Sequence, residues 1–233
     1  MAYILCIESS SLWCSVAVFE DKLCLIKKET NEEHQHASLL TVYIQECLSA
    51  INLRFDQLSA IAISAGPGSY TGLRIGTSVA KGLCYSLNLP LIAVNTLKSM
   101  ANGFVRSKHF ASFELIFSLI DARRNEVYYQ GFHSNLTEVT DALPHILTIE
   151  SFAKHLHRGK CVFIGNGALK TSETITHPNA RFIDDASFYT SENLGILAYE
   201  KFMLGQFEDS AYFEPNYLKP FFTTAKKVQN RII

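Results

Sequence analysis

With 233 residues, 48% of them hydrophobic and 18% charged, the chain is apolar enough to build a packed core and is not disordered in composition. Its formal net charge of −1 excludes a global basic field for nucleic acid or anionic membranes. Basic residues gather only near the C-terminus, at Lys219, Lys226, Lys227 and Arg231, which reads either as a solvated tail or as an RNA contact. Six cysteines without a CxxC pair, most of them inside apolar runs, read as buried reduced thiols in a reducing compartment. No basic leader precedes the first apolar run, and Glu8 interrupts it. No signal peptide or membrane span is therefore expected, and the expected location is the cytoplasm.

In chain order, residues 3–8 read as a buried strand, followed by strands at 13–19 and 22–27 across turn-prone SSS and Glu20-Asp21. Residues 33–51 switch to helical period, with Leu39, Leu40, Tyr43, Ile44, Cys47, Leu48 and Ile51 recurring. A short strand at 60–64 leads into a glycine-rich stretch and a helix to about Leu87. A strand at 91–94 and a helix from Thr96 to about Phe104 follow. The order then restarts, with strands at 115–121 and 126–132, a weaker one near Ile146, and a helix near 151–156. Strands at 161–164 and near Phe182 precede a last helix at 191–203. Two half-chains with one opening order predict an α/β fold of two ribonuclease H-like lobes with a cleft between them. The expected division is 1–108, 109–218 and a basic tail at 219–233.

The stretch AGPGSYTGLRIG, residues 65–76, places four glycines in twelve residues. Neither G-x-x-x-x-G-K-[ST] nor G-x-G-x-x-G fits, because the required glycine falls on Thr71 and the first lysine after the stretch begins is Lys81. At ~100° per residue, Ile75, Val79 and Leu83 form one ridge of the helix and Gly72, Gly76 and Ala80 the next. A helical glycine costs about 1 kcal/mol relative to alanine, so Gly72, Gly76 and Gly82 imply a packing use. Either the chain's own sheet or a neighbouring helix lies against this flat row, or another chain does.

The histidine pairs His34/His36 and His155/His157 are two residues apart and point to different sides of a helix, so no metal site is expected. No Ser/His/Asp or Cys/His arrangement is readable.

GPGSYTGLRIG after a strand, DARRNEVY at 121–128, Gly165-Asn166-Gly167-Ala168, Glu8-Ser9-Ser10 at the end of the first strand, and Pro215-Asn216-Tyr217-Leu218-Lys219 together resemble the TsaB family, also called YeaZ. The resemblance spans nearly the whole chain. It implies the actin-like ATPase fold and a non-catalytic subunit in the synthesis of N6-threonylcarbamoyladenosine at position 37 of tRNAs reading codons that begin with adenine. The implied partner is the homologous transferase TsaD, joined by the ATPase TsaE, with TsaC supplying the adenylate. In isolation the chain is either a monomer or a homodimer formed through the glycine helix. The resemblance puts the partner interface on the two N-lobe helices, at His36, Leu40, Tyr43, Ile44, Cys47, Gly72, Ile75, Gly76, Val79, Ala80 and Leu83. Ser38 stands where the family's His-Ser/Ala-Glu-x-Leu segment has Glu.

Actin-like ATPases hold phosphates in two Asp- and glycine-bearing hairpin turns. Here the first turn has Glu8 and no glycine, and the second, Asp121-Ala122-Arg123-Arg124-Asn125, keeps Asp but lacks the glycines. Candidate nucleotide contacts are Ser9, Ser10, Asp121, Arg123, Gly165 and Gly167, with plain polar turns as the alternative. No cofactor is expected for the chain alone; ATP or ADP and Mg²⁺ belong to the complex. The competing function is an active ATPase or small-molecule kinase of the same fold.

Overall fold

The computed structural model describes residues 1–31, 36–107 and 113–219, apart from the His36 side chain. His34, the His36 side chain, Lys226, Lys227 and Arg231 therefore lie outside the described residues.

The first half runs β1 (Tyr3–Glu8), β2 (Cys14–Glu20), β3 (Leu23–Thr30), α1 (His36–Ala50), β4 (Ala60–Ser64), α2 (Tyr70–Leu87), β5 (Leu91–Val94) and α3 (Thr96–Arg106). The second repeats it as β6 (Leu115–Asp121), β7 (Glu126–Phe132), β8 (Leu143–Ile146), α4 (Ala153–Leu156), β9 (Cys161–Ile164), α5 (Ala168–Thr174), β10 (Ala180–Ile183) and α6 (Ser191–Met203). The sheet orders are β3-β2-β1-β4-β5 and, in matching sense, β8-β7-β6-β9-β10. In each sheet the first three strands are antiparallel and the last two join in parallel through a helix. This is the same five-stranded unit twice, as the repeated order predicted. α5 was not foreseen.

Strand alternation divides the first lobe's core into two layers. Leu5 and Ile7 of β1 meet Leu40, Ile44, Cys47 and Leu48 of α1 and Ala80 and Cys84 of α2. On the opposite face Ile4 and Cys6 meet Leu194, Leu197 and Ala198, which belong to α6 at the far end of the chain. Conversely, α3 packs Leu97, Met100, Ala101 and Phe104 against Ile116, Phe132, Val162 and Ile164 of the second sheet. The lobes have thus exchanged their closing helices, and a division at residue 108 does not separate the two packing units. Polar contacts seal the exchange: Ser15 Oγ and Ser191 Oγ are 2.7 Å apart, and Asn102 Nδ2 donates to the Asn193 carbonyl at 2.7 Å.

After α6 the chain returns along the first lobe. The Glu208 amide donates to the Leu91 carbonyl (2.9 Å), Lys81 Nζ donates to the carbonyls of Ala211 and Phe213, and the Asn216 amide donates to the Ala65 carbonyl (2.7 Å). Lys219 then crosses to the second lobe, paired with Glu126 and over the Tyr128 ring. Among the described residues no helix is long and apolar enough to cross a membrane. All six cysteines are free. Burial pushes Cys14, Cys47, Cys84 and Cys161 up to about 11, leaving these thiols protonated at neutral pH.

An aromatic cluster on the outer face of the second sheet gives the fold a pH dependence. His145 and His155 pack on the rings of Phe152 and Phe117, and desolvation holds both below the usual histidine range. The folded state therefore binds fewer protons than the unfolded one as pH falls through 6.5 and below. Their contribution is complete above that pH and is lost under acid. The melting temperature is expected to fall between pH 7 and pH 5, and a His145→Gln/His155→Gln variant should show a flatter profile in the same calorimetric scan.

Candidate functional site

The glycine loop and the start of α2 lie on the β1–β2 turn of the same chain. The Ser69 amide donates to the Ser10 carbonyl at 2.6 Å, while Ser69 Oγ caps the helix by accepting from the Gly72 amide at 3.2 Å. A Cβ at Gly68 would overlap Ser10, one at Gly72 would strike the Ser9 carbonyl, and one at Gly76 would strike Ser9 Oγ. Gly66 sits in the left-handed region at φ +98°, with the Asn216 carbonyl against it. The flat row is therefore filled from within. Of the three glycines within α2, only Gly82 has open space, with no atom within 4 Å of a Cβ built there.

This corrects the expected interface residue by residue. Leu40, Ile44, Cys47, Gly72, Gly76 and Ala80 are buried in the chain's own core, so they shape the helices from beneath and present no surface. Tyr43, Ile75, Val79 and Leu83 are half-buried, packed against that core but still partly open to solvent. The outer strip of the adjoining helices is completed by residues the pattern did not single out. Thr41, Val42 and Gln45 lie on α1, and Thr71, Ser78 and Gly82 on α2, all exposed. On α2 the exposed Thr71, Ser78 and Gly82 adjoin Ile75 and Val79 as small, uncharged ground for another helix, while α1 exposes Glu46, paired with Lys28, between Val42 and Tyr43.

At the cleft, both hairpin turns are occupied by the chain's own groups. Glu8 is buried, and its Oε1 accepts from the Ser10 amide at 2.7 Å; Ser9 and Ser10 are 1% exposed beneath α2. Asp121 is exposed, but its Oδ1 accepts from Lys170 Nζ at 2.5 Å and from the Arg123 amide at 2.6 Å. The same ammonium donates to the carbonyls of Arg124 (2.9 Å) and Glu126 (2.8 Å), so all three of its protons are used. A metal ion bound through Asp121 Oδ1 would compete with this ammonium.

The Gly165–Ala168 loop is packed just as closely. Gly165 sits at φ +98°, and Met100, the Leu119 carbonyl and the Tyr189 hydroxyl leave no room for a side chain there. Gly167 lies against Leu119 and Val127. The Asn166 amide donates to the Tyr189 hydroxyl (2.8 Å), which donates to Asn166 Oδ1 (3.1 Å), while Asn166 Oδ1 also accepts from the Asp121 amide. Burial holds the Tyr189 phenol far above its usual range, reinforced by Asp184, Glu8 and Asp121, so it stays a neutral donor and acceptor between the turns. Lys170, Asn166 and Tyr189 carry the geometry of the cleft, and no motif marked Lys170 or Tyr189. Among the described residues no three His, Cys, Asp or Glu side chains gather as a metal site.

Two copies of the 3-2-1-4-5 sheet unit in one chain define the actin-like class of folds. A solved structure, an uncharacterized protein with similarity to peptidase YEAZ from Pseudomonas aeruginosa, matches 94% of this chain and 100% of its own at TM-score 0.82 and 24% identity. A structure of YeaZ from the same organism covers the same shares at TM-score 0.77. A family model for TsaD, tRNA N6-adenosine threonylcarbamoyltransferase, matches residues 28–195. Along its length the chain aligns with the tRNA threonylcarbamoyladenosine biosynthesis protein TsaB of Buchnera aphidicola subsp. Schizaphis graminum, 30% identical over 82% of this chain and 94% of that one. TsaB of Escherichia coli is 34% identical over 55% of this chain; there the match spans about half of the relative's length, 54%. The chain belongs to the TsaB (YeaZ) family.

Proposed function

We propose that this chain is a non-catalytic docking subunit in the synthesis of N6-threonylcarbamoyladenosine on tRNA, pairing with the TsaD transferase through the outer strip of α1 and α2. The observation that carries the reading is the occupied cleft. Lys170 is bonded to Asp121 Oδ1, and Ser9 and Ser10 are sealed under α2, which disfavours a metal-bound phosphate held between the two turns. The exposed helix strip supports the pairing. The transferase is homologous to this chain, as in the relative from Clostridioides difficile, 31% identical over 46% of the chain and 29% of the enzyme. Homologous partners present equivalent helices, which favours a pseudo-twofold contact and, in isolation, a homodimer through the same strip. In this reading TsaE joins the pair, TsaC supplies the adenylate, and the complex works on tRNA in the cytoplasm with ATP or ADP and Mg²⁺ bound outside this chain's cleft.

The test is co-expression with a TsaD protein followed by sizing with light scattering. A 1:1 complex is expected. Two proteins that elute separately at micromolar concentration would contradict the pairing.

A further inference from the structure

The β6–β7 turn carries two adjacent arginines in a backbone conformation that side chains resist. Arg123 has φ +68° and Arg124 φ +50°, where glycine or asparagine is the ordinary occupant. The turn is tied down around them. The Ala122 amide donates to the Glu126 carbonyl (3.0 Å), the Arg123 amide to Asp121 Oδ1, and Lys170 Nζ to the Arg124 carbonyl.

Local charge explains what is left over. Lys170 takes Asp121 and Lys219 takes Glu126, so both carboxylates of the turn are neutralised by lysines. Arg123 and Arg124 are exposed, and neither guanidinium has a side-chain partner among the described residues. In a chain of net charge −1 this is a concentrated, uncompensated pair on a rigid tip. Guanidinium forks match phosphate oxygens, and a strained, pinned backbone fixes where both side chains start, so that binding has only the side chains to order.

We propose that Arg123 and Arg124 form a contact site for the phosphodiester backbone of RNA. The proposal rests on the reading above that tRNA is the substrate of the complex. An exposed tip favours RNA over a mononucleotide, because the neighbouring Gly165–Ala168 loop offers no base pocket. Its space is filled by Met100 and Tyr189.

The experiment is a fluorescence-anisotropy titration of the purified chain with tRNA across a salt series, comparing wild type with Arg123→Gly/Arg124→Gly. It needs no transferase, so a failure of the pairing leaves it readable. Losing two phosphate contacts should flatten the slope of log K against log salt by about 1.5, which is roughly a 30-fold weaker affinity at 0.1 M salt. Glycine also relieves both left-handed positions, so the variant's Tm should rise by roughly 2–4 °C. Arg123→Lys/Arg124→Lys should restore most of the salt slope. Absent tRNA binding by the wild type, or an unchanged slope and affinity in the glycine variant, would overturn the proposal. So would weaker binding accompanied by a fall in Tm, which marks a structural role.

Discussion

Gly72→Ala is expected to cost about 3 kcal/mol of stability, a fall in Tm of roughly 6–12 °C for a chain this size. The added methyl would strike the Ser9 carbonyl, which is backbone and cannot rotate away. Ser9 directly follows β1, which is held between β2 and β4, so the turn cannot retreat either. Gly76→Leu meets Ser9 Oγ and Ile7 in the same place and should be worse, giving little soluble protein. The third helical glycine behaves oppositely. Gly82→Ala meets nothing, and the better helix propensity should raise stability by about 0.5–1 kcal/mol. Urea melts of the variants check this, and a neutral Gly72→Ala would refute the close contact.

The second large effect is on association. Gly82→Leu should leave the folded chain as stable as wild type or slightly more so, because leucine is a good helix former and the site is open. On the proposed docking strip the same side chain stands where a partner helix must approach. Overpacking of that kind costs about 3 kcal/mol, more than a 100-fold loss of affinity for the transferase. Sedimentation or calorimetric titration of the variant against the TsaD partner measures it. A fully folded variant that binds with wild-type affinity would remove α2 from the interface.

These two predictions show how the glycines were legible and how far. Their four-residue spacing announced a close approach, but a spacing says nothing of what approaches; here it is Ser9, more than sixty positions earlier. Strands were plain wherever an apolar run was bounded by turn residues, as at Ala60–Ser64 and Cys161–Ile164. The duplicated order followed from them. α5 was missed because its seven residues, ALKTSET, bury only Ala168 and Thr171 and so carry no apolar period. The exchange of α3 and α6 was invisible for a related reason. Periodicity reveals which face of a helix is apolar, never which of two sheets it will meet. The cleft was half legible. Asp121 and the glycines of 165–167 stood out as residue types, whereas the Lys170 ammonium that occupies Asp121 comes from 49 positions away on the unforeseen helix. Tyr189 had no motif around it at all.

The docking role is tested most directly by the N6-threonylcarbamoyladenosine content of tRNA, measured by mass spectrometry in cells depleted of this chain. Depletion should lower the modified nucleoside, with restoration by the wild-type chain and not by Gly82→Leu expressed to the same level. Unchanged nucleoside on depletion, or full restoration by Gly82→Leu, would contradict the account.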